Sequence, residues 1–263
     1  MSEYTLHCGD CLQVMRAFEP GIIDLTVTSP PYDNLRTYNG HTFDFEGIAQ
    51  ELYRVTKPGG VVVWVVGDAT INGSETGTSF RQALYFMGLG FNLETMIYEN
   101  TGTGAKGSNY YYWQSFEFMF IFSRGQPKTS NRIKDSRNTK AGQVQRAGVK
   151  MEYLGSRTFG KRIVTVGEYG YRTNIWRFHA GVNGDDQTDH PAPFPEALAR
   201  DHILSWSSPG DLVFDPMMGS GTTGKMAIKY QRNFIGIDIS AEYVAIAEKR
   251  IKQAAAQMIL PGV

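Results

Sequence analysis

Cysteine is nearly missing from this chain: two thiols in 263 residues exclude a disulfide-built scaffold. They fall as Cys8-Gly9-Asp10-Cys11, a C-x-x-C spacing compatible with a redox pair or half of a zinc site. A structural zinc needs two more ligands, and His7 is the only candidate nearby. Two incidental thiols and no metal is the simpler expectation. Long apolar runs are missing as well, so nothing reads as a membrane span. Met1-Ser2-Glu3-Tyr4 has neither the basic flank nor the apolar follow-on of a signal peptide, and a cytoplasmic protein with no membrane partner is expected. Net charge is missing too. The 26 Lys and Arg balance 26 Asp and Glu, which argues against an unspecific nucleic-acid binder.

That balance hides an asymmetry. Between Ser123 and Arg162 eleven Lys and Arg face only Asp135 and Glu152, a charge of +9 that leaves −9 on the remainder. From Ser123 to His179 the periodic apolar signal also fades, although Ile163, Val164, Tyr169, Tyr171, Ile175, Trp176 and Phe178 give the second half enough apolar mass to fold or dock. The reading is a basic insert over residues 123–180, flexible in its first half and facing nucleic acid. It separates a core half at 1–122 from another at 181–263.

The two halves alternate strand and helix signals as a parallel α/β sheet does. Short strands are expected at Tyr4–His7, Ile22–Thr28 and Val61–Val66. Helices are expected from Cys11 to Phe18, Phe45 to Val55 and Ser79 to Met87. Phe91–Tyr98 and Phe116–Phe122 read as later strands, antiparallel ones included. After the insert come a helix from Phe194 to Ser205, a strand at Leu212–Asp215, a helix from Gly221 to Tyr230, a strand at Phe234–Asp238 and a final helix from Ala241 to Gln257.

Two strand ends carry chemistry. Ser29-Pro30-Pro31-Tyr32 stops a β-branched run, and taken alone it is as readily a loop as a site. At 212–224, "LVFDPMMGSGTTG" joins strand to helix through Gly219, Gly221 and Gly224, a G-x-G-x-x-G spacing that lets backbone approach a nucleoside. Asp238, ending the next strand, can accept ribose hydroxyls. A dinucleotide fold needs further strands after this unit, yet only 39 residues follow Gly224. The missing strands come first in the chain, so the expected architecture is a circularly permuted, Rossmann-like α/β sheet. In an open sheet both motifs then lie at the carboxyl edge, where ligands bind.

At these residues the chain closely resembles the β-class amino-methyltransferases of DNA, which move a methyl group from S-adenosylmethionine to an exocyclic base nitrogen. The resemblance covers nearly everything outside the insert: "HCGDCLQVM", "DLTVTSPPYD", "VTKPGG", "HPAPFPEALARDHI", "FDPMMGSGTT" and "FIGIDIS", in family order. It implies a class I methyltransferase fold, a basic target-recognition insert and base flipping in double-stranded DNA. By resemblance alone a homodimer is plausible. The catalytic corner it implies is Ser29, Pro30, Pro31 and Tyr32. The cofactor set is Asp10, Thr28, Pro193, Phe194, Pro195, Phe214, Asp215, Pro216, Met217, Gly219, Ser220, Gly221, Thr222, Thr223 and Asp238. Met217 departs from the family's frequent aromatic residue and puts a thioether where a ring would stack.

A sulfonium methyl is already electrophilic, so such an enzyme needs neither metal nor covalent intermediate. It must place a weakly nucleophilic amine in line and enrich its nitrogen. The Ser29 hydroxyl and the Pro30 carbonyl can accept hydrogen bonds from that amine, and Tyr32 offers a stacking face. Serine at the first corner position is the family's usual association with N4 of cytosine, with N6 of adenine the alternative. Methylation at cytosine C5 is disfavoured because neither cysteine follows a proline. Tyr110-Tyr111-Tyr112-Trp113 reads either as part of the base pocket or as a strand face on the core. An RNA or protein methyltransferase would more often carry the glycine loop first. A non-catalytic DNA-binding module gives no reason to hold both a nucleoside loop and the corner.

Overall fold

The computed structural model describes residues 2–31, 43–100, 112–146, 149–151, 157–159, 163–178 and 195–259; Tyr32, Tyr110, Tyr111, Pro193 and Phe194 lie outside them. The described residues form two compact units, Met1–Asn131 with Asn174–Val263, and Arg132–Thr173. The larger unit holds a mixed sheet of eight strands: β1 (Tyr4–Cys8), β2 (Ile23–Thr28), β3 (Thr56–Val66), β4 (Asn92–Asn100), β5 (Phe116–Ser123), β6 (Ile175–Phe178), β7 (Leu212–Asp215) and β8 (Asn233–Asp238). Their spatial order is β1-β8-β7-β2-β3-β5-β4-β6. The first five are mutually parallel, β5 runs against both its neighbours, and β6 is parallel to β4.

Among the described residues six helices cover the faces: α1 (Cys11–Arg16), α2 (Phe45–Val55), α3 (Thr78–Gly88), α4 (Glu196–Trp206), α5 (Thr222–Lys229) and α6 (Ala241–Ile259). Packing links α1, α2 and α3 in one series and α4, α5 and α6 in another. The permutation is visible in the order: the β7-α5-β8 unit comes last in sequence but occupies the middle of the parallel strands.

Sequence explains the layering. Every residue of β2 is buried, as a central parallel strand flanked on both faces requires. In β3, Val62, Trp64 and Val66 join the core beneath α2 and α3, where Ile48, Leu52 and Phe86 also sit. The alternation of a strand sends the equally buried Val61, Val63 and Val65 to the opposite face. Trp64 is kept whole in this core because its indole N–H donates to the Gln82 side chain at 2.8 Å. Helix α2 starts where Asp44 accepts from the Gly47 N–H at 3.0 Å and ends at the extended Thr56, within the expected bounds.

The smaller unit is built differently. Lys134–Arg137 pairs with Tyr169–Tyr171, Val144–Arg146 with Ile163–Thr165, and Val149–Met151 with Arg157–Phe159, all antiparallel. These ladders are nested, so the chain runs out along one arm and returns along the other. The expected flexible first half of the insert therefore contains paired strands. The unit is also narrower than 123–180. Ser123 ends β5 in the main sheet, and the stretch Ile175–Phe178 is β6, with Trp176 and Phe178 buried. Arg132–Thr173 remains as the inserted piece.

Candidate functional site

Strands β1, β8, β7 and β2 are consecutive neighbours and parallel, so their carboxyl ends share one edge. Each end delivers a polar group there: Asp10 two residues beyond β1, Asp238 closing β8, Asp215 closing β7 and Ser29 following β2. Residues more than two hundred positions apart in sequence thus meet on one rim. Backbone bonds fix it, among them Gly9 N–H to the Asp238 carbonyl at 2.9 Å.

The glycine loop is shaped by its own hydrogen bonds. Asp238 accepts from the Gly219 N–H at 2.9 Å through one carboxylate oxygen and from the Ser240 N–H at 2.8 Å through the other. The Met218 N–H reaches the Ile237 carbonyl at 2.9 Å. Gly219 and Gly221 adopt φ of 49° and 78°, a left-handed conformation that costs side-chain-bearing residues energy. Gly221 is doubly constrained, since a Cβ there would lie 2.7 Å from that of Ala247. From this cap α5 begins, and Thr223 donates to the Val27 carbonyl at 3.1 Å, tying the loop to β2.

Asp215 is the electrostatic centre. Its carboxylate is buried and accepts from the Thr28 hydroxyl at 2.8 Å and the Met217 N–H at 3.1 Å. Burial outweighs these bonds and, with the nearby Asp238 charge, pushes its pKa from 3.8 up to about 7. A carboxyl held at this threshold in a closed setting suits a cationic ligand, and Asp238 on the neighbouring strand suits hydroxyls. Two acids at a glycine-loop rim fit an amino-acid-bearing nucleoside. Among the described residues no group of three or more His, Cys, Asp or Glu is placed to hold a metal ion. The Cys11 thiol is pushed up to about 12 by burial and the Asp10 charge, which disfavours its thiolate at neutral pH.

Not every sequence-predicted residue lies open on this rim. Asp10 caps α1 by accepting from the Gln13 N–H at 2.8 Å. Phe214 is fully buried, edge-on to Phe18, and Pro216, Ser220, Thr222 and Thr223 are buried as well. They shape the loop from behind. Met217 is half-buried and packs on the core. Thr28 and Pro30 are buried, Ser29 and Pro31 partly so. Tyr32, Pro193 and Phe194 lie outside the described residues, and Pro195 is the N-cap of α4. Tyr112 and Trp113 are exposed, which the core-face reading of that cluster does not allow for these two.

One group escaped sequence reasoning. Arg250, buried in α6, donates to the Ser220 carbonyl at 2.7 Å and to its hydroxyl at 3.1 Å, then to Glu196 at 3.0 Å. Lys225 reaches the same Glu196 oxygen at 2.9 Å. The guanidinium therefore braces the glycine loop against the first residue of α4. We expect Glu196→Gln to raise the KM for the ligand of this loop roughly tenfold with kcat unchanged, by loosening a charge-assisted contact. Steady-state kinetics check this; an unchanged KM would make the brace irrelevant to binding.

Comparison with known proteins places this geometry. A family model described as DNA methylase matches residues 23–249. The orphan methyltransferase M.BamHII of Bacillus amyloliquefaciens is 56% identical over 239 residues, covering 88% of this chain and 89% of its own. Among solved structures, the PvuII DNA methyltransferase (cytosine-N4-specific) superposes with a TM-score of 0.70 at 21% identity, covering 98% of this chain and 93% of its own. The M1.HpyAVI–SAM complex gives 0.62 at 21% identity, over 94% and 99%. At such identities the two structures speak for the fold.

Proposed function

The chain belongs to the DNA methylase family, and from that premise we propose that it transfers a methyl group from S-adenosylmethionine to N4 of a cytosine flipped out of duplex DNA. One observation carries the reading: the Thr28 hydroxyl, next to Ser29, is bonded to Asp215 of the glycine-loop strand at 2.8 Å. That bond ties the strand end before the Ser-Pro-Pro corner to the strand end before the glycine loop, which supports reading the two as one site.

When bound, S-adenosylmethionine supplies an electrophilic methyl group on a sulfonium. Asp215 holds the ammonium of its methionine part, Asp238 takes the ribose hydroxyls, and Asp10 lies by the adenine. The Gly219–Gly221 backbone allows the approach. Ser29 Oγ and the Pro30 carbonyl accept hydrogen bonds from the two N–H groups of the target amine, orienting its lone pair; the nitrogen takes the methyl as the sulfur–methyl bond breaks and its electron pair returns to sulfur as a neutral thioether, and the extra proton on nitrogen passes to water. Pro30 and Pro31 fix that carbonyl by locking φ. Tyr32 provides the face on which the extruded base stacks. Extrusion is required because an amine inside a duplex cannot reach the donor. The serine at the corner, with the family's association of serine and cytosine, supports N4 over N6 of adenine.

The test is product identity. Incubating the protein with labelled S-adenosylmethionine and mixed-sequence duplex DNA, then digesting to nucleosides for mass spectrometry, should yield N4-methylcytosine. N6-methyladenine would overturn the base assignment within the family, and an unlabelled DNA would sink the reading.

A further inference from the structure

Between the end of β3 at Val66 and the start of α3 at Thr78 lie eleven residues, where about two to six suffice to lead a strand into a helix. The surplus is folded. Thr70–Ile71 pairs antiparallel with Ser74–Glu75, and the Thr76 N–H reaches the Ala69 carbonyl at 2.9 Å. Asn72 and Gly73, at φ of 51° and 80°, make the tight two-residue turn of a hairpin. Asp68 clamps the base: one carboxylate oxygen accepts from the Ser79 N–H at 2.9 Å and the Thr76 hydroxyl at 3.2 Å, the other from the Ser79 hydroxyl at 2.5 Å. On the flank, Gln114 donates to Glu75 at 2.6 Å.

A connection of this kind ordinarily ends in a polar tip. Here Ile71 stands beside the turn, 54% exposed, an apolar side chain stiff at χ1 held out by an anchored backbone. Residues 69–74 carry no charge, so nothing at the tip is repelled by phosphates, and Glu75 behind it is engaged by Gln114. Position completes the argument. Strand β3 lies parallel to β2 with Thr28 opposite Trp64, so the hairpin follows the strand end next to the one that carries Ser29. Through Gln114 it is tied to the segment that holds the exposed Trp113.

We propose that Ile71 is a positioning residue for methyl transfer, a wedge that enters the base stack at the target and fills the space an extruded base leaves. The inference rests on the reading of duplex DNA as substrate and of its target base as extruded. Opening a base step exposes apolar faces, and apolar side chains of DNA-bending proteins fill such openings. A wedge on a slack loop would lose much of that gain to ordering. A two-residue hairpin clamped at its base has little freedom left to lose.

Single-turnover methylation by Ile71→Ala tests this on two duplexes that differ only opposite the base the wild-type protein methylates, one fully paired and one mispaired there. On the paired duplex the variant should be slowed roughly tenfold, because the wedge offsets part of the unstacking cost. On the mispaired duplex, where extrusion is already easier, it should match wild type within about twofold. Ile71→Leu, which keeps an apolar wedge of the same volume, should hold the paired-duplex rate within about threefold. KM for S-adenosylmethionine should not move in either variant. An Ile71→Ala rate equal to wild type on the paired duplex overturns the proposal. So does an equal loss on both duplexes, the mark of a hairpin that only supports the fold. Either failure leaves methylation of DNA by the wild-type protein intact. A wild-type protein that methylates no duplex removes the function reading and the inference together.

Discussion

Replacing Ser29 with alanine lowers kcat for methyl transfer roughly 10²- to 10³-fold, the range lost when one preorganised hydrogen-bonding group aimed at developing charge is removed. Affinity for DNA and KM for S-adenosylmethionine stay within about twofold, because the hydroxyl acts on nitrogen only as it attacks. Ser29 is partly buried between Thr28, locked to Asp215, and the buried Pro30. The substitution therefore removes one oxygen without moving the backbone. Single-turnover methylation alongside anisotropy separates the effects. Activity within about threefold of wild type would take the hydroxyl out of the reaction and leave the Pro30 carbonyl as the corner's only acceptor.

The second large effect is at Asp215. Asparagine keeps the shape and an oxygen for Thr28 and Met217 but not the charge that, in the proposed function, meets the cofactor's ammonium. Losing one partner of a desolvated charge pair costs about 2–5 kcal/mol, so S-adenosylmethionine binds about 100-fold more weakly by calorimetry. Dependence on pH identifies the cause. Below about 7 wild-type Asp215 holds a proton that must leave before it can pair with a cation. Affinity of the wild-type protein therefore rises through that pH, and the Asn variant's curve is flat there. The cofactor-free protein behaves in the opposite sense. Between 3.8 and about 7 the folded carboxyl retains a proton that the unfolded chain has given up. The stability this group contributes is present in acid and lost as pH rises through about 7. A pH-independent affinity in the wild-type protein would show that the ammonium is held elsewhere.

Much of the sheet and of the helices packed on it was legible from the apolar pattern of the chain. Val61–Val66 is apolar throughout and central; Ile48, Ala49, Leu52 and Val55 recur on one helical face. The glycine loop and the Ser-Pro-Pro corner were legible as interruptions of that pattern. The paired strands within Arg132–Thr173 were not, because short strands with exposed side chains carry no apolar alternation to read, and their Lys, Arg and Thr look like linker. For the same reason β6 was assigned to the insert: four residues, two of them buried, are too short for a period. Arg250 escaped differently. It stands 30 positions from Ser220, inside an amphipathic helix where a charged residue is ordinarily a solvated one. Only the fold turns it inward.

The position of β7 between β2 and β8 also governs how the protein comes into being. Synthesis delivers β1, β2, β3, β4 and β5 long before β7, so a nascent chain holds one side of the wholly buried β2 without its neighbour. Such an edge is a template for pairing with other chains, and closure waits for Glu3 to meet Asn233, 230 residues later. Sheets that pair strands so remote fold slowly. Ribosome-released fragments ending before Leu212 should therefore aggregate, while a chain relinked to begin at β7 should fold as it emerges.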